Sequence, residues 1–157
     1  MKPNIGIKEK SLKSSSTLLS IILADEMTLY IKTRKAHWNV TGNSFMELHK
    51  LFENQYKSLE ESIDEIAERI GKLGNPTTGT MSEYLKVTRL KETPGKYSAS
   101  KDMIKELLKD HETIICELRK DICTCADKNN DAGTADFLTG LMEQHETISW
   151  ILRRYLN

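Results

Sequence analysis

The sequence predicts an all-α protein folded as one four-helix bundle, and three observations carry that reading. From Phe45 to Leu73, apolar residues stand at 45, 48, 52, 56, 59, 63, 66, 70 and 73, alternating steps of three and four as on one face of an amphipathic helix. Similar stripes follow at Ile104, Leu107, Ile114, Leu118 and Ile122, and at Leu138, Leu141, Ile148, Leu152 and Tyr155, with a looser one at Leu18, Ile22, Leu29 and Trp38. Prolines stand only at Pro3, Pro76 and Pro94, so residues 4–75 and 95–157 contain no proline breaker and each can hold two helices.

Along the chain, residues 1–13 read as a flexible lysine-bearing tail and residues 14–157 as the bundle domain. The turn Val40-Thr41-Gly42-Asn43 ends the first helix; Ser44 with Glu47 reads as a capping box that opens the second, and Gly71, Gly74 and Pro76 end it. The stretch from Gly74 to Tyr97 is a long mixed connection in which Met81 to Val87 reads as a short helix. A turn at Asn129 to Gly133 divides the last two helices. Two short turns and one long crossover let the second and third bundle helices run parallel, the connectivity of ferritin-like folds.

Composition narrows the function. Lys and Arg number 23 against 23 Asp and Glu in 157 residues, a balance that disfavours a strongly basic nucleic-acid module, an acidic tail or a two-domain enzyme. With 38% hydrophobic and 29% charged residues, the chain supports one core with wet helix surfaces. The longest apolar stretch, Leu18 to Ala24, is broken by Ser20 and is shorter than the ~20 residues of a membrane span. The opening Met-Lys-Pro-Asn-Ile-Gly lacks a secretory h-region, so the expectation is a cytoplasmic protein with no membrane partner. Cys116, Cys123 and Cys125 form no Cys-x-x-Cys pair and are expected as small buried or half-buried thiols.

The histidines point to chemistry. His111 and His145 fall inside apolar stripes and read as hydrogen-bonded core residues. His37 and His49 stand off the core with carboxylates beside them. At about 100° per residue, with His49 at zero, Glu53 lies near 40°, Asp64 near 60° and Glu68 near 100°, while the apolar stripe centres near −60°. A solvated charged flank is the simpler reading of the carboxylates, but imidazole with carboxylate is the ligand set that iron and related divalent metals accept. His49 and Asp64 are fifteen residues apart, roughly 22 Å along one helix, too far for one chain to close a site. Two copies packed antiparallel through this flank would set His49 and Glu53 of one opposite Asp64 and Glu68 of the other, giving two equivalent sites about a two-fold axis, with His37 joining the His49 end. A site inside one bundle would use Glu-x-x-His pairs, and position i−3 of the four histidines is Arg34, Met46, Leu108 and Met142.

These residues carry a resemblance. Lys35-Ala36-His37-Trp38-Asn39-Val40-Thr41-Gly42, then Phe45, Leu48-His49, Leu51-Phe52-Glu53, Tyr56 and Asp64-Glu65-Ile66-Ala67-Glu68-Arg69-Ile70, resemble the signature of the Dps family, the mini-ferritins named as DNA-binding proteins from starved cells. Gly133-Thr134-Ala135-Asp136 and His145 to Arg153 are similar to that family's last helix, and the match runs from about Lys13 to Leu156. The resemblance implies a hollow dodecamer built from two-fold dimers. It further implies a ferroxidase that oxidises Fe(II) with hydrogen peroxide between two-fold-related subunits and stores ferric mineral, protecting the cell and its DNA. By position, His37, His49 and Glu53 come from one subunit and Asp64 and Glu68 from its partner; zinc is a competing ion for the iron. The family often has Asp where this chain has Glu53. Asp131 and Asp136 match the region lining the family's three-fold iron pores, with plain helix capping an equal alternative. Trp38 and Trp150 fall near the site, with packing as their first role. Lys2, Lys8, Lys10 and Lys13, against Glu9, are the candidate DNA contacts, and would place the protein on the nucleoid. The competing class is a nucleoid-associated structural protein with a weak or vestigial metal site.

Overall fold

The computed structural model describes residues 2–156; Met1 and Asn157, the outermost residues of the expected tail and bundle, lie outside the described residues. Five helices follow in order: α1 (Glu9–Asn39), α2 (Phe45–Lys72), α3 (Met81–Val87), α4 (Ser100–Cys123) and α5 (Ala132–Arg154), with no strand among the described residues. Helix α3 occupies the short segment expected within the connection, opened by a capping box of Thr80 and Glu83. No helix among the described residues is long and apolar enough to cross a membrane.

Side-chain pairings give the topology. His37 meets His49 and Tyr30 meets Tyr56, so α1 and α2 run antiparallel. Lys32 meets Asp110 while Asp25 and Asp121 share Arg89, so α1 and α4 are antiparallel as well, and α2 and α4 are therefore parallel. The core closes on Leu19, Ile22, Leu23 and Leu29 from α1, Phe52, Leu59, Ile66 and Ile70 from α2, Ile114 and Leu118 from α4, and Leu138 and Leu152 from α5. Each contributes about 1.5–3 kcal/mol by leaving water. Trp38, placed in the first stripe by sequence, is not core: it is 62% exposed beneath the Arg34 guanidinium, because the α1 stripe ends at Ala36.

The long connection is clamped by charge. Buried Asp25 accepts hydrogen bonds from the Arg89 backbone N–H and Nε, both at 2.6 Å, and from Thr88 Oγ1 at 3.0 Å. Arg89 Nη1 donates onward to Asp121 and Glu117 on α4, so one guanidinium ties α1, the connection and α4 together.

Three expectations are corrected. The tail does not run to residue 13: α1 begins at Glu9, where the Ser11 and Leu12 amides bond the Lys8 carbonyl and Leu12 is already buried, so Lys10 and Lys13 stand on helix surface. The Ser44 capping box does not form; Ser44 makes no side-chain cap, and Glu47 instead accepts a hydrogen bond from Tyr155 Oη, pushing that phenol up to about 12. Of the cysteines only Cys125 is buried, in a π-helical turn over Thr124–Lys128 that ends α4, while Cys116 and Cys123 are exposed.

Helix α2 ends in a Schellman motif, with the Asn75 amide on the Ile70 carbonyl, the Gly74 amide on Gly71, and Gly74 at φ 81°. A β-carbon on Gly74 would lie 2.5 Å from Pro3 Cδ, because the N-terminal segment is seated against this turn. Gly74→Ala is therefore expected to cost about 1–3 kcal/mol, from the left-handed backbone and the displaced Pro3, read as a lower thermal midpoint. Gly79→Ala, where the added carbon meets nothing, is the comparison.

Candidate metal centre

The first helical hairpin builds one end of the candidate site. Val40, 1% exposed, and Gly42 at φ 104° fold the chain back after α1, so the last turn of α1 faces the first turns of α2. His37 and His49 stack at 3.7 Å between ring centroids, 20° from parallel. His37 Nδ1 lies 2.8 Å from the His49 carbonyl oxygen and His49 Nδ1 lies 2.9 Å from that of His37. A carbonyl only accepts, so both Nδ1 atoms carry the proton, and the tautomer follows from the partner. In the neutral form of each ring this places the lone pair on Nε2, the nitrogen a metal would take. Tyr56 sits edge-on to His37 at 5.3 Å and Phe45 lies 5.1 Å from His49, holding the rings in place. His37 is buried and His49 half-buried.

Glu53 stands one turn beyond His49. Its carboxylate accepts from Lys57 and from Lys50, and these hydrogen bonds hold it down at about 2, ionised throughout the working range. Asp64 and Glu68 lie further along α2, both exposed, with Glu68 paired to Lys72. Asp64 lines a shallow groove with Met27, Tyr30, Ile63 and Ala67, so this flank combines carboxylates with apolar surface. The structure thus brings His37, His49 and Glu53 to one end of the flank and leaves Asp64 and Glu68 at the other. Among the described residues, no group of three or more His, Cys, Asp or Glu side chains within one chain could hold a metal ion.

The acidic pair at α5 separates. Asp131, expected with Asp136 beside a pore, is 1% exposed: its Oδ1 accepts the Thr134 backbone N–H as the α5 cap and faces Arg69 at 3.5 Å. The capping reading therefore holds for Asp131, and Asp136 alone of the two is exposed. Lys2 pairs with Glu9 instead of standing free. Trp38 and Trp150 are both more than half exposed, with Arg34 and Arg154 stacked on them, so neither packs into its own bundle.

Sequence reasoning missed two features. The cluster of Arg34 with Tyr30, Tyr56 and Trp38 beside His37 depends on two helix faces meeting. The lysine pair around Glu53 was legible, since positions i−3 and i+4 are helix neighbours.

Comparison with known proteins agrees with this fold. Residues 17–157 match the ferritin family, described as a ferritin-like domain. An uncharacterised low-temperature-induced protein of Nostoc is 43% identical over 98% of this chain and 86% of its own length. DNA protection during starvation protein 2 of Bacillus anthracis is 36% identical over 86% of this chain and 91% of its own. The crystal structure of the Dps protein of Vibrio cholerae superposes with a TM-score of 0.92 at 28% identity, covering 99% of this chain and 97% of that one. Four antiparallel-paired helices, a crossover carrying a short helix, and near full-length matches to these proteins establish that the chain belongs to the Dps family of ferritin-like proteins.

Proposed function

We propose that the protein is an iron-storing mini-ferritin that oxidises Fe(II), with hydrogen peroxide as oxidant, at sites shared by two antiparallel copies in a dodecameric shell. One observation carries the reading: two imidazoles with their Nδ1 protons already committed offer Nε2 at one end of a flank whose far end bears Asp64 and Glu68. His37, His49 and Glu53 of one subunit would hold iron together with Asp64 and Glu68 supplied by the second copy. Half-exposed apolar groups along the flank, with Trp38, Phe45 and Met46 exposed near the histidines, favour such a partner.

Iron is the substrate. Hard carboxylate oxygens favour Fe(III), so Glu53, Asp64 and Glu68 make the bound ion easier to oxidise, while imidazole nitrogen also accepts Fe(II). Two ferrous ions each give one electron to one peroxide molecule, which takes two protons and leaves as two waters. Consuming both reagents removes the ingredients of hydroxyl-radical formation, and that is the route by which the chain would protect DNA in the cytoplasm. Support for a free DNA-holding arm is weaker, because Pro3 is seated on Gly74 and Lys2 on Glu9, leaving Lys8 at the N-cap of α1 and Lys10 and Lys13 on its first turns.

Apo-protein mixed with Fe(II) and half an equivalent of peroxide should develop ferric absorbance within the mixing experiment. His37→Ala/His49→Ala should slow it by more than about 100-fold, since loss of groups that merely orient a ligand already costs 10–100-fold. An unchanged rate with an unchanged oligomer by light scattering would overturn the assignment.

A further inference from the structure

Every candidate ligand on the α2 flank except Glu53 presents an available oxygen or nitrogen. Glu53 is the exception because each of its oxygens already carries a lysine ammonium: Oε2 accepts from Lys50 Nζ at 2.9 Å and Oε1 accepts from Lys57 Nζ. The spacing i−3 and i+4 puts both ammonium groups on the helix face that carries the carboxylate. The glutamate side chain is 24% exposed while the lysines are 63% and 56% exposed, so the two cations cap the carboxylate from the solvent side.

We propose that Lys50 and Lys57 form a latch on Glu53 that sets the metal affinity of the site, a divalent cation having to displace at least one ammonium group before the carboxylate can ligate it. This rests on the reading of His37, His49 and Glu53 as metal ligands. Two observations make displacement feasible. In the single chain the lysines are more than half exposed, so a released ammonium has water to return to, and exposed pairs of this kind are weak. Lys57 also has other carboxylates within helical reach, Glu60 at i+3 and Glu61 at i+4, and these line the same groove as Lys57 and Asp64. Moving Lys57 from Glu53 to Glu60 or Glu61 frees one oxygen and keeps the ammonium paired. The latch holds the carboxylate ionised and pointed along the flank while no metal is present, and it weakens binding of cations that deliver too little energy to open it.

The test is a calorimetric titration of Zn²⁺, a redox-inert probe, into the intact apo-assembly of wild type, K50Q, K57Q, K57R and H37A/H49A. K50Q and K57Q should each bind Zn²⁺ about two- to fivefold more tightly than wild type, since each removes a competing cation, and K57R should match wild type. Equal Zn²⁺ affinity in wild type and both glutamine variants, with binding lost in H37A/H49A, overturns the latch and leaves the site standing. Equal affinity in wild type and H37A/H49A overturns the underlying ligand assignment instead. Weaker binding in K57Q also overturns the latch, because it makes the ammonium a helper of metal binding.

Discussion

Mixing two inactive variants, His37→Ala/His49→Ala and Asp64→Ala/Glu68→Ala, is expected to restore iron oxidation that neither shows alone. In a mixed dimer one site inherits both sets of substitutions, while the other combines intact histidines of one chain with intact carboxylates of its partner. Random reassociation makes about half the dimers mixed, so about a quarter of the sites should recover. The prediction follows from helix rise: fifteen residues of α2 separate His49 from Asp64, roughly 22 Å, and no bend in that helix brings them together. The measurement is ferric absorbance after Fe(II) and peroxide, on variants unfolded and refolded together against the same variants refolded apart and then mixed. Recovery confined to the co-refolded sample shows that sites are completed across chains. No recovery, with mixed oligomers confirmed by mass, would show that each chain carries its own site.

Much of helix α2 was readable from local sequence, for a physical reason. The α2 stripe is set by local periodicity, and Leu48, Phe52, Leu59, Ile66, Ile70 and Leu73 are buried as that period requires. Phe45, Tyr56 and Ile63 belong to the same stripe yet stay partly exposed, because they drift toward the flank that carries His49 and Asp64. Features depending on distant segments were not readable. Ser44 looked like a cap, but the competing partner of Glu47 is Tyr155, more than a hundred residues away. Asp131 read equally as a pore carboxylate or a helix cap, and only the fold, with Arg69 arriving from α2, shows it enclosed as the cap. The crossed Nδ1 bonds of His37 and His49 also lie beyond local pattern, since each runs to the backbone of the other helix.

The largest stability effect is expected in the middle of the bundle, where His145→Ala should cost about 3–5 kcal/mol. Glu26 on α1, His111 on α4 and His145 on α5 form one buried line, each no more than 1% exposed. His145 Nε2 donates to Glu26 Oε1 at 2.7 Å, and the two Nδ1 atoms of His145 and His111 face each other at 2.7 Å. With His145 neutral and its proton on Nε2, its Nδ1 accepts, so His111 Nδ1 donates and His111 Nε2 is left bare. Removing His145 strands the Glu26 carboxylate among apolar side chains, whereas E26L/H111L/H145L removes every polar member and should cost far less. The line also makes the fold sensitive to acid. Burial, then the neighbouring His145, holds His111 well below the ordinary imidazole range, so the unfolded chain takes up a proton near pH 6.5 while the native chain refuses it. Stability is therefore full above that pH and falls as pH drops below it, by up to about 1.4 kcal/mol per unit. Asp25, Asp110 and Asp121, raised chiefly by burial, act in the opposite sense, but only as pH enters the carboxylate range. Urea midpoints between pH 7 and 5 should accordingly decline for wild type and stay flatter for H111L and for the triple variant; equal slopes in all three would remove His111 as the origin of the acid response.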